Sequence, residues 1–434
     1  MANNLYPVIL AGGRGTRFWP LSRKRRAKQL LPLNSSKSMI QETVERLLPL
    51  APAKNFWVIT NDDLRDPIVR QLKKLDKKQI VAEPVGRNTA PAIGLAAFLL
   101  ERRDPGAVIG MFPSDHVIAD EKRFREDIRR ATEIAAAGPN IVVIGIKPTR
   151  AETGYGYIEV NTGPASGQSG KAKNQPAADS HQLSECQQLT AHSDEPFANS
   201  QLTAEGRQPK AKGKEPGAVP VRRFTEKPNA EVAEQFVRAG SFFWNSGMFV
   251  WGAKTLADAL REHLPNSAPL LEEIAAAAIQ GTRKFEKTFA KLYPKCENIS
   301  VDYAVLEPRS AKGEGRSGIY CIPAGFGWND LGSWAALYEH RSSPPQPTQL
   351  RHLSRTPESG NEAGANVIVS DESFTSDAEG NFIHADGKFV AAMGVRNLVV
   401  VETDDALLIT TRERSQDVGK VVKWLDEKKM KKLV

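Results

Sequence analysis

Val8-Ile9-Leu10-Ala11-Gly12-Gly13-Arg14-Gly15-Thr16-Arg17-Phe18-Trp19-Pro20-Leu21-Ser22 couples a short apolar strand to a loop with three glycines in four positions and two arginines. The loop reads as a phosphate cradle, because glycine lets the backbone turn its N–H groups toward an anion while Arg14 and Arg17 add permanent positive charge. Arg23-Lys24-Arg25-Arg26 and Lys28-Gln29 follow, so the stretch is electropositive along its whole length. A mere turn between strand and helix would not need the arginines. Two better-known glycine loops do not match. The dinucleotide fingerprint asks for glycine five residues after its first, where Gly13 leads to Phe18 and Gly15 to Pro20. A Walker loop needs Gly-Lys-Ser/Thr after four spacers, and nothing here supplies it.

Outward from this loop, short β-branched strands alternate with amphipathic helices as far as about residue 146. After Val8-Leu10 comes a helix opening at Ser38, with Gln41 three residues on as a capping box. The pattern then predicts strand 56–60, helix 66–75, strand 79–83, helix 89–102, strand 108–112, helix 122–136 and strand 141–146. That order gives an α/β fold, a Rossmann-like, mostly parallel sheet with helices on both faces, in which ligands lie beyond the carboxyl ends of the strands. The residues at that rim are Gly12 to Arg17, Asn61-Asp62-Asp63, Glu83-Pro84-x-x-Arg87-Asn88-Thr89-Ala90 and Pro113-Ser114-Asp115-His116.

Segment 163–218 turns to Ser, Gln, Ala, Gly, Pro and Lys and reads as a disordered insertion in a domain spanning 1–340. It separates two strand-like runs, Tyr155 to Val160 and Val221 to Pro228. Segment 341–361 reads as a linker. Beyond it, 362–434 shows short strands at 366–370, 382–385, 389–393, 398–402 and 406–410, closed by a helix near 416–429, which describes a small β domain.

Composition narrows the function classes. A chain of 434 residues with 40% hydrophobic residues can bury a large core. The longest apolar run, Ala92 to Leu100, is too short to span a bilayer, and Met1-Ala2-Asn3-Asn4 does not open a signal peptide, so neither membrane nor export is expected. Three cysteines without a Cys-x-x-Cys pair suggest neither disulfides nor zinc, and fit a reducing cytoplasm. The net charge of +8 is concentrated beside the glycine loop and in Lys428-Lys429-Met430-Lys431-Lys432. With no zinc-finger or RNP-like motif, small anionic substrates fit better than nucleic acid.

Leu10-Ala11-Gly12-Gly13-x-Gly15-Thr16-Arg17-x-x-Pro20-Leu21-Ser22 resembles the signature of sugar-1-phosphate nucleotidyltransferases, in particular the mannose-1-phosphate guanylyltransferases. The resemblance covers about 5–160 and 219–340, and 362–427 more loosely. It implies GTP and mannose 1-phosphate as substrates, GDP-mannose and pyrophosphate as products, Mg²⁺ as cofactor, and a few turns of β-helix in the C-terminal domain, through which it leaves room for a homodimer. Transfer of a nucleotidyl group brings two polyanions together, so positioning and electrostatics dominate and no protein nucleophile is needed.

By the resemblance, Leu10, Ala11, Gly12, Gly13, Gly15, Thr16 and Arg17 hold the nucleotide. Arg17 and Lys28 lie on the triphosphate, and Ala27 stands before Lys28 where proline is more usual. Glu83, Asn88, Thr89 and Ala90 form the base segment. Gly154, Glu226, Lys227 and Asn245, the last in Trp244-Asn245-Ser246-Gly247-Met248-Phe249, form the sugar-phosphate side. Asp115 and Asp330, the latter in Gly327-Trp328-Asn329-Asp330-Leu331-Gly332-Ser333-Trp334, are matched to Mg²⁺ ligands, a role that suits hard carboxylate oxygens. By residue type alone, each aspartate also serves as a helix cap or turn residue. Asp302, in Val301-Asp302-Tyr303-Ala304, is matched too, but an exposed cap explains it equally well. His116 reads as structural, having no second ligand at metal spacing. A related enzyme using another nucleotide or sugar shares the same loop, because fold does not fix substrate.

Overall fold

Neighbouring residues of the central strands bury on opposite faces, and helices cover both. The computed structural model describes residues 4–161, 217–342 and 364–434. The expected insertion therefore lies, as far as Pro216, outside the described residues. So does the expected linker beyond Ser342, its first two residues belonging to a helix.

The N-terminal part holds strands β1 (Leu5–Leu10), β2 (Trp57–Asn61), β3 (Ile80–Glu83), β4 (Val108–Pro113), β5 (Val117–Ile118), β6 (Ile141–Ile146), β7 (Tyr157–Val160), β8 (Val219–Thr225), β9 (Phe242–Gly252), β10 (Ile319–Ala324) and β11 (Trp328–Asn329). Its helices include α1 (Met39–Leu47), α2 (Asp62–Gln71), α3 (Thr89–Arg103), α4 (Glu121–Ala136), α5 (Ala230–Ala239), α6 (Ala253–His263), α7 (Ala268–Ile279), α8 (Thr282–Leu292), α9 (Glu307–Ser310) and α10 (Trp334–Ser342). Val8, Ile59, Val143, Phe249 and Trp251 face one core with α3, α6 and α7. Their neighbours Ile9, Val58, Val142, Ile144 and Val250 face the other with α1, α2 and α4. Both faces being dry, these strands read as continuous apolar runs rather than alternating ones. The α1 capping box forms as the sequence suggests, Ser38 and Gln41 each receiving the other's backbone N–H.

The main sheet has the order β3-β2-β1-β4-β9-β6-β10-β8-β7 and is mixed. β3, β2, β1 and β4 run parallel, as the strand–helix alternation leads one to expect. The long β9 is inserted antiparallel between β4 and β6, and also pairs antiparallel with β7. β9 follows a helix on the far side of the insertion, so no periodic signal in the sequence marks where it pairs.

The C-terminal part comprises β12 (Val367–Val369), β13 (Glu372–Ser376), β14 (Phe382–His384), β15 (Phe389–Met393), β16 (Leu398–Thr403), β17 (Ala406–Thr411) and α11 (Gly419–Glu427). β12, β14 and β16 stack in parallel register, as do β13 and β15, so successive turns of chain coil as a β-helix. Asn366, Asn381 and Asn397 each precede a stacked strand, in Asn-Val-Ile-Val, Asn-Phe-Ile-His and Asn-Leu-Val-Val. The buried Asn381 amide donates to Asn366 Oδ1 at 2.8 Å and to the Val395 carbonyl at 2.9 Å, and its Oδ1 accepts from the Leu398 N–H at 2.9 Å. This ladder satisfies backbone groups that the turns would otherwise leave buried and unpaired.

The β-helix does not stand apart from the glycine loop. Phe18, Trp19, Leu331 and Trp334 share one core with Phe382, Val399, Val422 and Leu425. Trp334 Nε1 donates to the Trp19 carbonyl at 3.1 Å, and Trp19 Nε1 to the Leu433 carbonyl at 2.8 Å. Because that core is common, Leu425→Ala should destabilise the N-terminal part and the β-helix together, by about 3 kcal/mol as for other buried leucines. In urea, tryptophan fluorescence and circular dichroism should still give coincident transitions. A separate early transition of the β-helix would contradict a shared core.

Candidate active site

The glycine loop follows β1 and is pinned by its carbonyls. Gln29 donates its side-chain amide to the Ala11 and Gly13 carbonyls at 2.8 and 3.0 Å, Thr60 Oγ1 to Ala11 at 2.9 Å, and Asn61 to Gly12 at 3.0 Å. With the carbonyls held inward, the N–H groups of Gly12, Gly13, Arg14 and Gly15 donate to no acceptor among the described residues. They form the donor array that a polyphosphate needs. Of the three glycines only Gly15 takes a positive φ, of 63°, and a Cβ there would lie 2.3 Å from the Lys28 Cβ. Gly13 has nothing within 4 Å of such a Cβ and Gly12 only the Glu83 carboxylate at 3.7 Å. Their contribution is open room in front of the loop, not the backbone freedom expected of them.

Below the loop a small cleft of about 110 Å³ is lined by Gly15, Arg17, Phe18, Lys28, Asp115, His116, Asp330, Leu331 and Gly332. Asp115 follows β4, and Asp330 follows β11. The two-residue strands β5 and β11 pair antiparallel, Asn329 opposite Val117 and Trp328 opposite Ile118, and this ribbon brings together aspartates remote in sequence. Lys28 binds them. Its buried Nζ donates to the Asp115 carboxylate at 2.9 Å, to the Asp115 carbonyl at 3.2 Å and to the Asp330 carbonyl. Burial alone would push the Asp115 carboxyl up, but the Lys28 ammonium and His116 outweigh it and hold it below its ordinary value. Lys28 thus organises the carboxylates while its ammonium lines the cleft.

His116 is anchored as expected, its Nδ1 accepting from Trp328 Nε1 at 3.1 Å, and burial lowers its pKa. It is nonetheless a wall of the cleft. Tyr155, which the sequence did not single out, packs edge-on against Trp244 and Trp328. Burial, followed by the facing Asp330 carboxylate, raises its pKa strongly, so its hydroxyl stays protonated and can donate to that carboxylate. Arg17 reaches the same place: a Cβ on Gly332 would sit 3.2 Å from Asp330 Oδ2 and 3.6 Å from Arg17 Nη1.

At the edge of the sheet, Glu83 ends β3, and Tyr293 donates its hydroxyl to Glu83 Oε1 at 2.5 Å. Burial raises the Glu83 pKa, an effect opposed by the Tyr293 hydrogen bond. Asn88, at φ 65°, caps α3 by accepting from the Thr89 N–H at 2.9 Å. Thr89 Oγ1 accepts from the Val301 N–H at 2.9 Å, and Ala90 N–H donates to the Ile299 carbonyl at 3.1 Å. Thr89 and Ala90 therefore tie the start of α3 to the segment that carries Asp302.

On the sugar-phosphate side, Glu226 pairs with Lys227 at 2.7 Å through Oε1, while its buried Oε2 lacks a hydrogen-bond partner. A Cβ on Gly156 would fall 2.3 Å from that Oε2. Gly156, rather than the exposed Gly154, is the glycine that this close approach requires. Asn245 donates to Asp302 Oδ1 at 2.8 Å and accepts from the Gly247 N–H at 3.0 Å. Asp302 is therefore no exposed cap. It opens a π-helical turn, Asp302–Leu306, directed at Glu226, and burial together with the Glu226 carboxylate pushes its pKa up to about 6. π-turns of this kind cluster at functional sites, and a buried pair of carboxylates with an unmet oxygen is suited to accept hydrogen bonds from hydroxyls.

Against an ordinary value of 3.8, a folded-state pKa near 6 means that the native protein holds an extra proton between these values. The contribution of this group to stability is then lost as pH rises through that window. Asp302→Asn should raise the melting temperature at pH 7.5 and give little gain at pH 4.5. Equal gains at both pH values would place the carboxylate in water.

Residues 6–174 and 211–344 match the family model described as "Nucleotidyl transferase", and 371–425 match the "MannoseP isomerase/GMP-like beta-helix domain". A mannose-1-phosphate guanylyltransferase of Klebsiella pneumoniae is 35% identical over 98% of this chain and 74% of its own, and one of Escherichia coli K12 is 34% identical over the same shares. A crystal structure from Thermus thermophilus, titled mannose-1-phosphate geranyltransferase, superposes with a TM-score of 0.69 at 27% identity, covering 98% of this chain and 99% of that one. Glycine loop, mixed sheet and β-helix coincide with these matches, and the chain belongs to the nucleotidyl transferase family, as an enzyme of its mannose-1-phosphate guanylyltransferase branch.

Proposed function

We propose that this enzyme transfers GMP from GTP to mannose 1-phosphate, releasing pyrophosphate and GDP-mannose. The observation that carries this reading is the convergence of Asp115, Asp330, Lys28 and Arg17 on one cleft beneath the donor loop, with the Glu226–Asp302–Asn245 cluster beside it. The names of the relatives support the guanylyl and mannosyl assignments.

The loop N–H groups and Arg17 bind the triphosphate. Lys227 takes the sugar phosphate, and Glu226 and Asp302 accept hydrogen bonds from sugar hydroxyls. A sugar-phosphate oxygen then attacks the α-phosphorus, the bond to the bridging oxygen breaks in line, and pyrophosphate leaves with that electron pair. No protein atom is acylated or phosphorylated in this step, so orientation and neutralisation of charge supply the rate. Asp115 and Asp330, which line one cleft, suit Mg²⁺. A site of two carboxylates fits an ion that keeps waters and takes substrate oxygens. When bound, Mg²⁺ supplies positive charge to the phosphates as the transfer proceeds. No helix among the described residues is long and apolar enough to cross a membrane, and a cytoplasmic setting suits substrates of this kind.

Pyrophosphate release with four nucleoside triphosphates against several sugar 1-phosphates tests the reading. GTP with mannose 1-phosphate should exceed every other pair in kcat/KM by at least about tenfold, and preference for another pair would replace the assignment. Arg17→Ala should chiefly raise KM for GTP and Lys227→Ala chiefly KM for mannose 1-phosphate, whereas the opposite split would exchange the two sides.

A further inference from the structure

The C-terminal part touches the glycine loop at its two arginines, and treats them differently. Arg14 Nη1 forms an ion pair with Asp426 of α11 at 3.2 Å, so its charge is matched within the chain. Arg17 Nη1 donates instead to the amide oxygen of Gln416 at 2.5 Å. Gln416 lies in the short turn Ser415–Val418 that precedes α11. An amide is neutral. It fixes one N–H of the guanidinium and leaves the positive charge and the remaining donors for an anion, where a carboxylate would have neutralised it.

The approach is built into the packing. A Cβ on Gly419 would lie 3.3 Å from Thr16 Oγ1 and 4.0 Å from Arg17 Cγ, and Val418, Val422 and Leu425 share a core with Phe18 and Trp19. An exposed arginine that must meet a phosphate otherwise gives up rotamer freedom on doing so.

We infer that Gln416 is a positioning residue for Arg17, and that the C-terminal part completes the triphosphate site from within the same chain. The inference rests on the assignment of Arg17 to the triphosphate made above. Steady-state kinetics of the full chain test it with Gln416→Ala, Gln416→Glu, Arg17→Ala and the double alanine variant.

Gln416→Ala should raise KM for GTP about five- to tenfold, leave KM for mannose 1-phosphate within about twofold and leave the melting temperature unchanged. Gln416→Glu should raise KM for GTP further, since its carboxylate competes with phosphate for Arg17. The double variant should be no worse than Arg17→Ala alone, because the glutamine acts only through that arginine. If Arg17→Ala raises KM for GTP and Gln416→Ala does not, or if the two effects multiply, the inference is overturned while Arg17 keeps its place. A lower KM in Gln416→Ala would also overturn it, showing a latch that withholds the arginine. An unchanged KM in Arg17→Ala would remove Arg17 from the triphosphate and take the inference with it.

Discussion

A buried ammonium must find partners or lose its charge, and Lys28 finds them at Asp115 and at the backbone of Asp330. That one requirement links three remote pieces of chain: the segment after the glycine loop, the end of β4 and the end of β11. It also explains Gly15, whose missing side chain makes room for the Lys28 stem. With the lysine in place, the two carboxylates share one cleft at the rim of the sheet without the lysine cancelling both. Asp330 gives Lys28 its carbonyl and keeps its carboxylate free toward Tyr155 and the cleft.

The same economy of charge recurs elsewhere in the site. Each carboxylate has a neutral or charged donor, Glu83 in Tyr293, Glu226 in Lys227 and Asp302 in Asn245, and Glu226 keeps its second oxygen without a partner. Leaving oxygens such as Glu226 Oε2 unmet is costly to stability. A substrate hydroxyl or base N–H that fills the gap recovers that cost on binding, which is how such sites select a ligand with donors in the right places.

The glycine loop, the strand–helix alternation, the α1 capping box and most of the candidate polar residues were legible because each is a local signal. Apolar period, cap chemistry and turn residues all act within a few positions. What stayed hidden depends on pairing at a distance. β5 and β11 are two residues each and carry no periodicity, yet their ribbon brings Asp115 and Asp330 to one cleft. Asp302 looks like a cap until the π-turn carries it onto Asn245 beside Glu226, and only the position of Glu226 tells Gly156 from Gly154. The asparagine ladder of the β-helix could have been read: three Asn-apolar-apolar runs recur near one spacing, but with too few turns to stand out as a repeat.

We propose that Asp115 and Asp330 act together on one divalent cation. The most direct measurement is the Mg²⁺ dependence of the rate in Asp115→Asn and Asp330→Asn, which keep side-chain size and remove charge. Each should lower kcat by roughly 10², the usual loss for one positioned electrostatic group, and should require far more Mg²⁺ for half-maximal rate. An Asp330→Asn enzyme with an unchanged Mg²⁺ requirement would contradict the account and return Asp330 to the role of a turn residue.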